Sequence, residues 1–229
     1  MTKIDFHVHT SYSPDAFNDP FKIVKHAKRK GLDGIAITDH NNLKAINIIP
    51  KEKDFLLISG CEFKTIEGDL IGIFISNLPK KTTMIETIEW IHEENGLSIL
   101  PHPFGFREQK WTKEEDFDEV IKKVDGIEAF NSRNLSIKDN DKASKLAKTS
   151  KKTIISSSDA HFQFEIGNAF TFFENCEDYE QLYKNFRKGS KDIHGKMTPQ
   201  VNHLFSTSIK IMKKIFPPAL TVIKTLSGI

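Results

Sequence analysis

Two histidines separated by one residue lie near the start of the chain, in the apolar run IDFHVHT. Residues i and i+2 of a β-strand face the same way, so His7 and His9 direct two imidazoles to one place. A later run, SSSDAH, repeats this spacing with Asp159 and His161. Imidazole and carboxylate groups are common ligands of divalent metal ions. The spacing therefore predicts a metal site that draws on two strands.

Polar residues of the same types occur where the other predicted strands end. These ends read HVHT, TDHN, GCEF, LPHPF, AFNSR and SSSDAH. In parallel barrels and open α/β sheets the carboxyl ends of the strands open on one side, where ligands bind. We therefore expect one cleft to collect His7, His9, Asp39, His40, Glu62, His102, Asn131, Asp159 and His161.

The types of donor in this set indicate which ions it can bind. It contains no thiolate, so it suits zinc, manganese or iron without choosing among them. It holds more donors than one tetrahedral ion needs, so we expect two or three ions that share carboxylate ligands. Such clusters serve the hydrolysis of phosphate esters, because the ions bind phosphoryl oxygens and generate hydroxide from water near neutral pH.

Strand-like runs alternate with helical patterns along most of the chain. The first strand is followed by the helical pattern DPFKIVKHAKRKG, with Asp19 as the N-cap and Pro20 at the first helical position. The runs FLLISGCEF and DLIGIFI predict a hairpin-like pair. Parallel strands need crossover connections, so repeated strand–helix units predict a parallel sheet covered by helices. About seven such units favour closure into a barrel.

Composition limits the remaining possibilities. The 229 residues carry a net charge of +2, which argues against a nucleic-acid binder held by a large basic face. Two cysteines, Cys61 and Cys176, give no disulfide framework. We see no signal peptide and no run of membrane-spanning length, so a cytoplasmic protein is expected. The oligomeric state is not predicted.

The last part of the chain differs in kind from the rest. We predict a barrel over residues 1–194 and a helical tail over residues 195–229, packed against the barrel. The tail mixes apolar residues with lysines and contains the break Pro217-Pro218, so an amphipathic surface anchor is the alternative. No chemistry is predicted there.

Several motifs together resemble one known family. The runs DFHVHTSYSPD, GIAITDHN, GCEF, PHPF, FNSR and SSSDAH, in this order, resemble the PHP family, named for polymerase and histidinol phosphatase. The resemblance covers roughly residues 1–190. It implies an α/β fold, a distorted (β/α)7 TIM-like barrel, with a metal cluster at the carboxyl ends of the strands that hydrolyses phosphate esters.

The resemblance also implies a ligand set for the cluster. It assigns one ion to His7, His9 and Asp159; it makes Glu62 the bridge to a second ion, which His102 binds; and it assigns a third ion to Asp15, His40 and His161. Glu62, Asp159 and His161 are expected to serve in catalysis as well.

One stretch departs from the family pattern. Many members carry a further histidine shortly after the glutamate strand, whereas the stretch KTIEGDLIG has none, and Asp69 or Glu67 occupies that neighbourhood. This departure leaves open whether the cluster holds two or three divalent ions.

Two arginines follow predicted strand ends and are expected to bind the substrate. Guanidinium groups can donate two parallel hydrogen bonds to a phosphate, so Arg133 and Arg107 are candidates. Solvated loop arginines are the alternative for each. Asn131 is expected to contact the substrate or to orient a metal ligand.

The most specific function predicted is a metal-dependent phosphoesterase acting on a nucleotide or another small phosphorylated molecule. The alternatives are a nuclease or exonuclease acting on nucleic-acid ends, a histidinol-phosphatase-like enzyme, hydrolysis of C–N bonds, and a binding module with a disabled site.

Overall fold

The computed structural model describes residues 1–80, 83–105 and 114–215, which form a single mixed sheet surrounded by helices. The strands are Thr2–Val8 (β1), Gly34–Ile37 (β2), Leu56–Lys64 (β3), Asp69–Ile73 (β4), Leu97–Leu100 (β5), Gly126–Asn131 (β6), Thr153–Ser157 (β7), Ala169–Phe173 (β8) and Asp192–Gly195 (β9). The helices are Pro20–Arg29 (α1), Met84–Glu93 (α2), Glu114–Lys123 (α3), Ile137–Thr149 (α4), Tyr179–Lys188 (α5) and Val201–Ile215 (α6), and a short 3-10 turn covers Ala45–Asn47.

Six of the strands form two parallel sets that run in the same direction. The sheet runs β7-β6-β5-β4-β3-β2-β1-β8-β9. Strands β1, β2 and β3 pair in parallel, as do β5, β6 and β7. Strand β4 is antiparallel to both of its neighbours, β3 and β5. Strands β3 and β5 therefore run in the same direction. The carboxyl ends of these six strands therefore share one side of the sheet.

Hydrogen bonds that involve side chains link the two ends of the sheet. The Thr171 hydroxyl of β8 accepts from the backbone N–H of Ser156 in β7 at 2.9 Å and donates to its carbonyl at 3.1 Å. The Ser156 hydroxyl donates to the carbonyl of His194 in β9 at 2.6 Å. The result is a nearly closed barrel, which confirms the predicted distorted TIM-like fold.

The interior is filled by side chains from opposite parts of the sheet and from α5. The ring of Phe6 meets the rings of Phe173 and Phe186 edge-on, with centroids 5.8 and 5.6 Å apart. Each such pair contributes about 0.5–1.5 kcal/mol beyond the area that it buries. This packing fixes β1, which carries the first two histidines, against the body of the barrel.

Local signals are confirmed at several elements. Asp19 caps α1 by accepting from the backbone N–H of Phe21, and Pro20 begins the helix. The predicted hairpin forms, with Glu62 of β3 opposite Ile71 of β4. The run NLKAINII makes only the 3-10 turn rather than a helix, and strands β4, β8 and β9 are antiparallel, so the sheet is mixed rather than parallel throughout.

The tail is described only in part, since residues 216–229 lie outside the described residues. Before them, α6 forms a helix of 15 residues. The division of the chain at residue 194 stays a prediction. Within the described ranges we find no helix whose length and apolar character would let it cross a bilayer.

Candidate metal centre

All eight predicted ligands come together at the carboxyl ends of the parallel strands. His7 lies within β1 and Glu62 within β3, while the other six follow strand ends or lie in the loop after β1. Six of the eight are buried, and His40 and Asp159 are half-buried. The full set is His7, His9, Asp15, His40, Glu62, His102, Asp159 and His161.

The carboxylate of Glu62 lies at the middle of the cluster. Its Oε2 is 2.9 Å from His40 Nδ1, 3.3 Å from His9 Nε2 and 3.5 Å from His7 Nε2. Its other oxygen, Oε1, is 3.2 Å from His102 Nε2. Glu62 therefore faces four imidazoles from three different segments and can bridge between two positions.

Two further carboxylates flank this centre. Asp159 Oδ1 is 3.5 Å from His7 Nε2 and 3.3 Å from His9 Nε2. On the other side, Asp15 Oδ1 is 3.4 Å from His40 Nε2 and 3.6 Å from His161 Nε2. Each of the three carboxylates therefore lies close to its own set of histidines. Glu62 and Asp159 share His7 and His9, and Glu62 and Asp15 share His40.

The hydrogen bonds behind His7 and His9 fix their tautomers. Glu128 Oε1 accepts from His7 Nδ1 at 3.2 Å. The Ser13 hydroxyl donates to Asp39 at 2.6 Å, so its oxygen accepts from His9 Nδ1 at 3.2 Å. When both imidazoles are neutral, both Nε2 atoms carry lone pairs, and they face each other at only 3.1 Å. Two lone pairs at this distance repel each other unless a cation lies beside them, so the site fits a metal ion.

Three groups of ligand atoms meet the spacing that a metal needs, each with its atoms within 4.8 Å of one another. They are His7, His9 and Asp159; His7, Glu62 and His102; and His9, His40 and His161. Two ligands of one tetrahedral ion with bonds near 2.1 Å lie about 3.4 Å apart, as these atoms do. The cluster therefore suits divalent metal ions, whose identity and number the spacing does not fix.

The charges in the cluster act on one another strongly. Burial alone would raise the pKa of Glu62, but His40 and His7 hold that pKa well below its usual value. Burial would lower the pKa of His40, and Glu62 and Asp15 instead raise it to about 10. By contrast, burial and the neighbouring His9 keep the pKa of His161 well below its usual value, so His161 stays neutral. Because its pKa is held low, Glu62 is ionised, and its negative charge can attract a metal ion.

Outer groups hold the ligands in place, and the sequence analysis missed one of them, Glu128. Glu128 is buried in β6, where it accepts from His7 and, at 2.7 Å, from the backbone N–H of His102. A charged residue within the otherwise apolar run GIEAF was the available signal. Asn131 donates to Glu128 at 2.8 Å and to Asp159 at 3.3 Å. Its side chain therefore orients metal-ligand residues and does not only face the cleft. Asp39 holds Thr10 and Ser13 of the first loop.

Two of the ligands occupy an unusual backbone conformation. His102 has φ of 27° and Asp159 has φ of 52°, in the left-handed region that residues other than glycine seldom adopt. Such positions cost on the order of 1–3 kcal/mol and persist where the surrounding contacts impose them. Here the strain turns each side chain back over the end of its strand and toward the cluster.

The acidic residues that replace the family histidine have different surroundings. Glu67 accepts from the backbone N–H of Met84 at 2.8 Å and so binds the start of α2. Asp69 begins β4, and burial raises its pKa, with the charge of Glu62 adding to the effect. Asp69 is therefore the acid of this stretch that lies within electrostatic reach of the cluster.

Of the two predicted arginines, the structure describes one. Arg133 is buried, and its Nη1 donates to Glu165 Oε1 at 2.7 Å while its Nη2 donates to the Ser206 hydroxyl of α6 at 2.9 Å. It nevertheless lines the cleft above the cluster. Arg107 lies outside the described residues.

Helix α6 forms one wall of the cleft, a position that the sequence analysis did not predict for the tail. The cleft has a volume of about 90 Å³ above Glu62, His102 and Asp159. From α6 it is lined by His203, Ser206, Thr207 and Lys210, which are spaced along one face of the helix. The helical pattern was visible in the sequence, but nothing in it showed which part of the barrel that face covers.

A nearly closed α/β barrel that gathers imidazoles and carboxylates at one end defines a class of barrel proteins with a candidate metal centre at the carboxyl ends of the strands. Comparison with known proteins gives the particular family. The sequence matches the PHP domain over residues 5–204. The chain therefore belongs to the PHP domain family.

The chain is also similar to individual known proteins. An uncharacterized protein of Methanocaldococcus jannaschii is 38% identical over 145 residues, which cover 57% of this chain and 82% of that protein. The fold is similar to a two-domain protein of Bacteroides vulgatus that contains a predicted PHP-like metal-dependent phosphoesterase (TM-score 0.71, 18% identity, 90% of this chain and 69% of that one). It is also similar to Endonuclease Q in complex with a duplex that has an abasic lesion (TM-score 0.64, 19% identity, 82% of this chain and 56% of that one).

Proposed function

We propose that this protein hydrolyses phosphate esters of a small phosphorylated molecule, of the nucleotide type. The observation that carries the proposal is a dense cluster of metal-ligand side chains at the floor of a small cleft with cationic side chains on its wall. Carboxylates and imidazoles attract the ions, while Arg133 and Lys210 supply positive charge for a phosphate above them.

The proposed ion sites are those that the family resemblance implies, and each shares at least two residues with one of the three groups of ligand atoms. His7, His9 and Asp159 hold one ion, His102 and Glu62 hold a second, and Asp15, His40 and His161 hold a third. When bound, zinc, manganese or iron would neutralise phosphoryl charge and activate water for attack. Glu62 and Asp159 keep the ion sites adjacent. His161, whose Nδ1 donates to the Asp159 carbonyl at 2.8 Å, presents a neutral Nε2.

The dimensions of the cleft favour a terminal phosphate over an internal phosphodiester of a duplex. A volume of about 90 Å³ closed on one side by α6 suits a phosphate and the start of its leaving group. A second candidate is cleavage at nucleic-acid ends, for which the similarity in fold to Endonuclease Q is the supporting observation. A nucleic-acid end also presents a terminal phosphate and so fits the same space.

Metal removal and a substrate panel test the proposal. We expect the purified protein to contain divalent metal, to hydrolyse nucleoside monophosphates or related phosphomonoesters, and to lose this activity on dialysis against a chelator and regain it with Mn²⁺ or Zn²⁺. Short oligonucleotides with a terminal phosphate test the nuclease candidate. Hydrolysis of C–N bonds by the metal-loaded protein, with no phosphate ester turned over, would contradict the proposal.

Lys210 offers a direct test of phosphate binding by α6. Its ammonium lines the cleft, and within the described residues no carboxylate forms an ion pair with it. We expect Lys210→Ala to raise KM by about 3- to 10-fold with unchanged metal content, because one charge-assisted hydrogen bond of an exposed group is lost. Lys25→Ala, at an exposed position of α1 outside the cleft lining, is the control. Equal kcat/KM for both variants would remove Lys210 from the site.

Arg133 calls for a gentler substitution than Ala. Its guanidinium pairs with Glu165, which is itself buried and also accepts from the backbone N–H of His161. Removing one partner of a buried pair costs about 3–5 kcal/mol, so Arg133→Ala would change stability and activity together. Arg133→Lys retains the positive charge but cannot donate two parallel hydrogen bonds, so it is the more informative variant.

A further inference from the structure

Lys213, near the end of α6, is bound by the loop that carries Asp15. Its Nζ donates to the carbonyl oxygens of Ser11, Ser13 and Ala16 at 2.9, 2.8 and 2.8 Å. An ammonium group has three protons to donate, so the three carbonyls satisfy all of them. This is a specific contact rather than a surface lysine near a loop.

The carbonyls that Lys213 binds flank Asp15 on both sides along the chain. Ser13 precedes it by two residues and Ala16 follows it directly. With their oxygens converging on one point, these peptide groups repel one another unless a cation stands between them. The ammonium therefore fixes the curvature of the loop at the position where the Asp15 side chain turns inward, to within 3.4 Å of His40 and 3.6 Å of His161.

Other contacts anchor α6 so that Lys213 arrives at this loop. Asn202 donates to Glu165 at 2.7 Å, the Ser206 hydroxyl accepts from Arg133, and both residues are buried. Ser206 and Lys213 are seven residues apart, which places them on the same face of the helix. The contact thus joins segments about 200 residues apart in sequence, through a helix that also lines the cleft.

We propose that Lys213 is a positioning residue for Asp15, through which the C-terminal helix sets the affinity of the ion held by Asp15, His40 and His161. This inference rests on the ion sites of the proposed function. Groups that orient metal ligands from behind change metal affinity by roughly 10- to 100-fold when they are removed. Within the described residues Lys213 forms no hydrogen bond with His7, His9, Asp159 or His102, so the affinity for ions that these residues would hold should not change.

The test compares Lys213→Met with Lys214→Met. Methionine keeps the stem of the side chain and removes the ammonium, and Lys214 is exposed, with no contact to the loop in the described residues. We expect calorimetric titration of the metal-free proteins with Mn²⁺ to show one class of ion bound roughly 10- to 100-fold more weakly in Lys213→Met, with the other ions unaffected. Lys213→Arg should restore part of the affinity.

Two results would overturn the inference. One is an unchanged number and affinity of Mn²⁺ ions in Lys213→Met. The other is a uniform weakening of every ion together with a lower melting temperature, which would give Lys213 an ordinary structural role. The titration does not depend on turnover, so the proposed function fails separately, when metal-loaded wild-type protein hydrolyses no phosphate ester.

Discussion

Replacing His7 by Ala is expected to lower bound metal and activity together. His7 belongs to two of the three groups of ligand atoms, so its loss removes a donor from two ion positions. We expect at least one ion to be lost, and phosphate ester hydrolysis to fall by on the order of 10²-fold or more, since the ions supply most of the charge stabilisation. Metal analysis by mass spectrometry and measurement of kcat/KM on the same preparation check this.

The double variant His7→Ala, His9→Ala makes the test stricter. These residues supply the facing Nε2 atoms 3.1 Å apart, so no imidazole of β1 remains to hold an ion. His26→Ala, a substitution on the outer helix α1, controls for the loss of a histidine elsewhere. Full metal occupancy in the double variant would refute the assignment of β1 to the cluster.

The strand-end residues could be predicted because two simple rules apply to them. Alternation along a strand places His7 and His9 on one face, and parallel pairing brings the ends of β1, β2, β3, β5, β6 and β7 to one side. Asp15 lies in a loop, where neither rule holds, and only the family resemblance pointed to it. The loop that carries it accepts a hydrogen bond from Lys213 at the Ser13 carbonyl, and its carboxylate lies 3.6 Å from His161 Nε2.

Features that depend on distant contacts were not predictable in this way. Strand β9 is a short run, DIHG, with no alternation, and it forms because β8 offers it an antiparallel edge. Glu128 resembles an isolated polar residue until its contacts with His7 and His102 are known. The same holds for α6, since helical spacing shows which residues share a face but not which surface of the barrel the face meets.

Glu62→Gln is the substitution from which we expect the sharpest loss for the smallest change in shape. Both Glu62 oxygens face imidazole nitrogens, at 2.9–3.5 Å for Oε2 and 3.2 Å for Oε1. Glutamine has nearly the same volume but offers one oxygen and no charge. Whichever way the amide turns, its NH₂ group takes the place of one bridging oxygen, and an NH₂ group cannot bind a metal ion.

We therefore expect Glu62→Gln to lose at least one ion and to reduce kcat/KM by roughly 10²-fold or more, several kcal/mol of transition-state stabilisation. Glu67→Gln is the matched control, because Glu67 lies in the next loop and binds the start of α2 rather than the cluster. Metal content and kcat/KM are measured for both variants. A near wild-type rate with full metal content in Glu62→Gln would exclude the bridge, because an interaction at the centre of the cluster cannot be lost without weakening the ions on both sides of it.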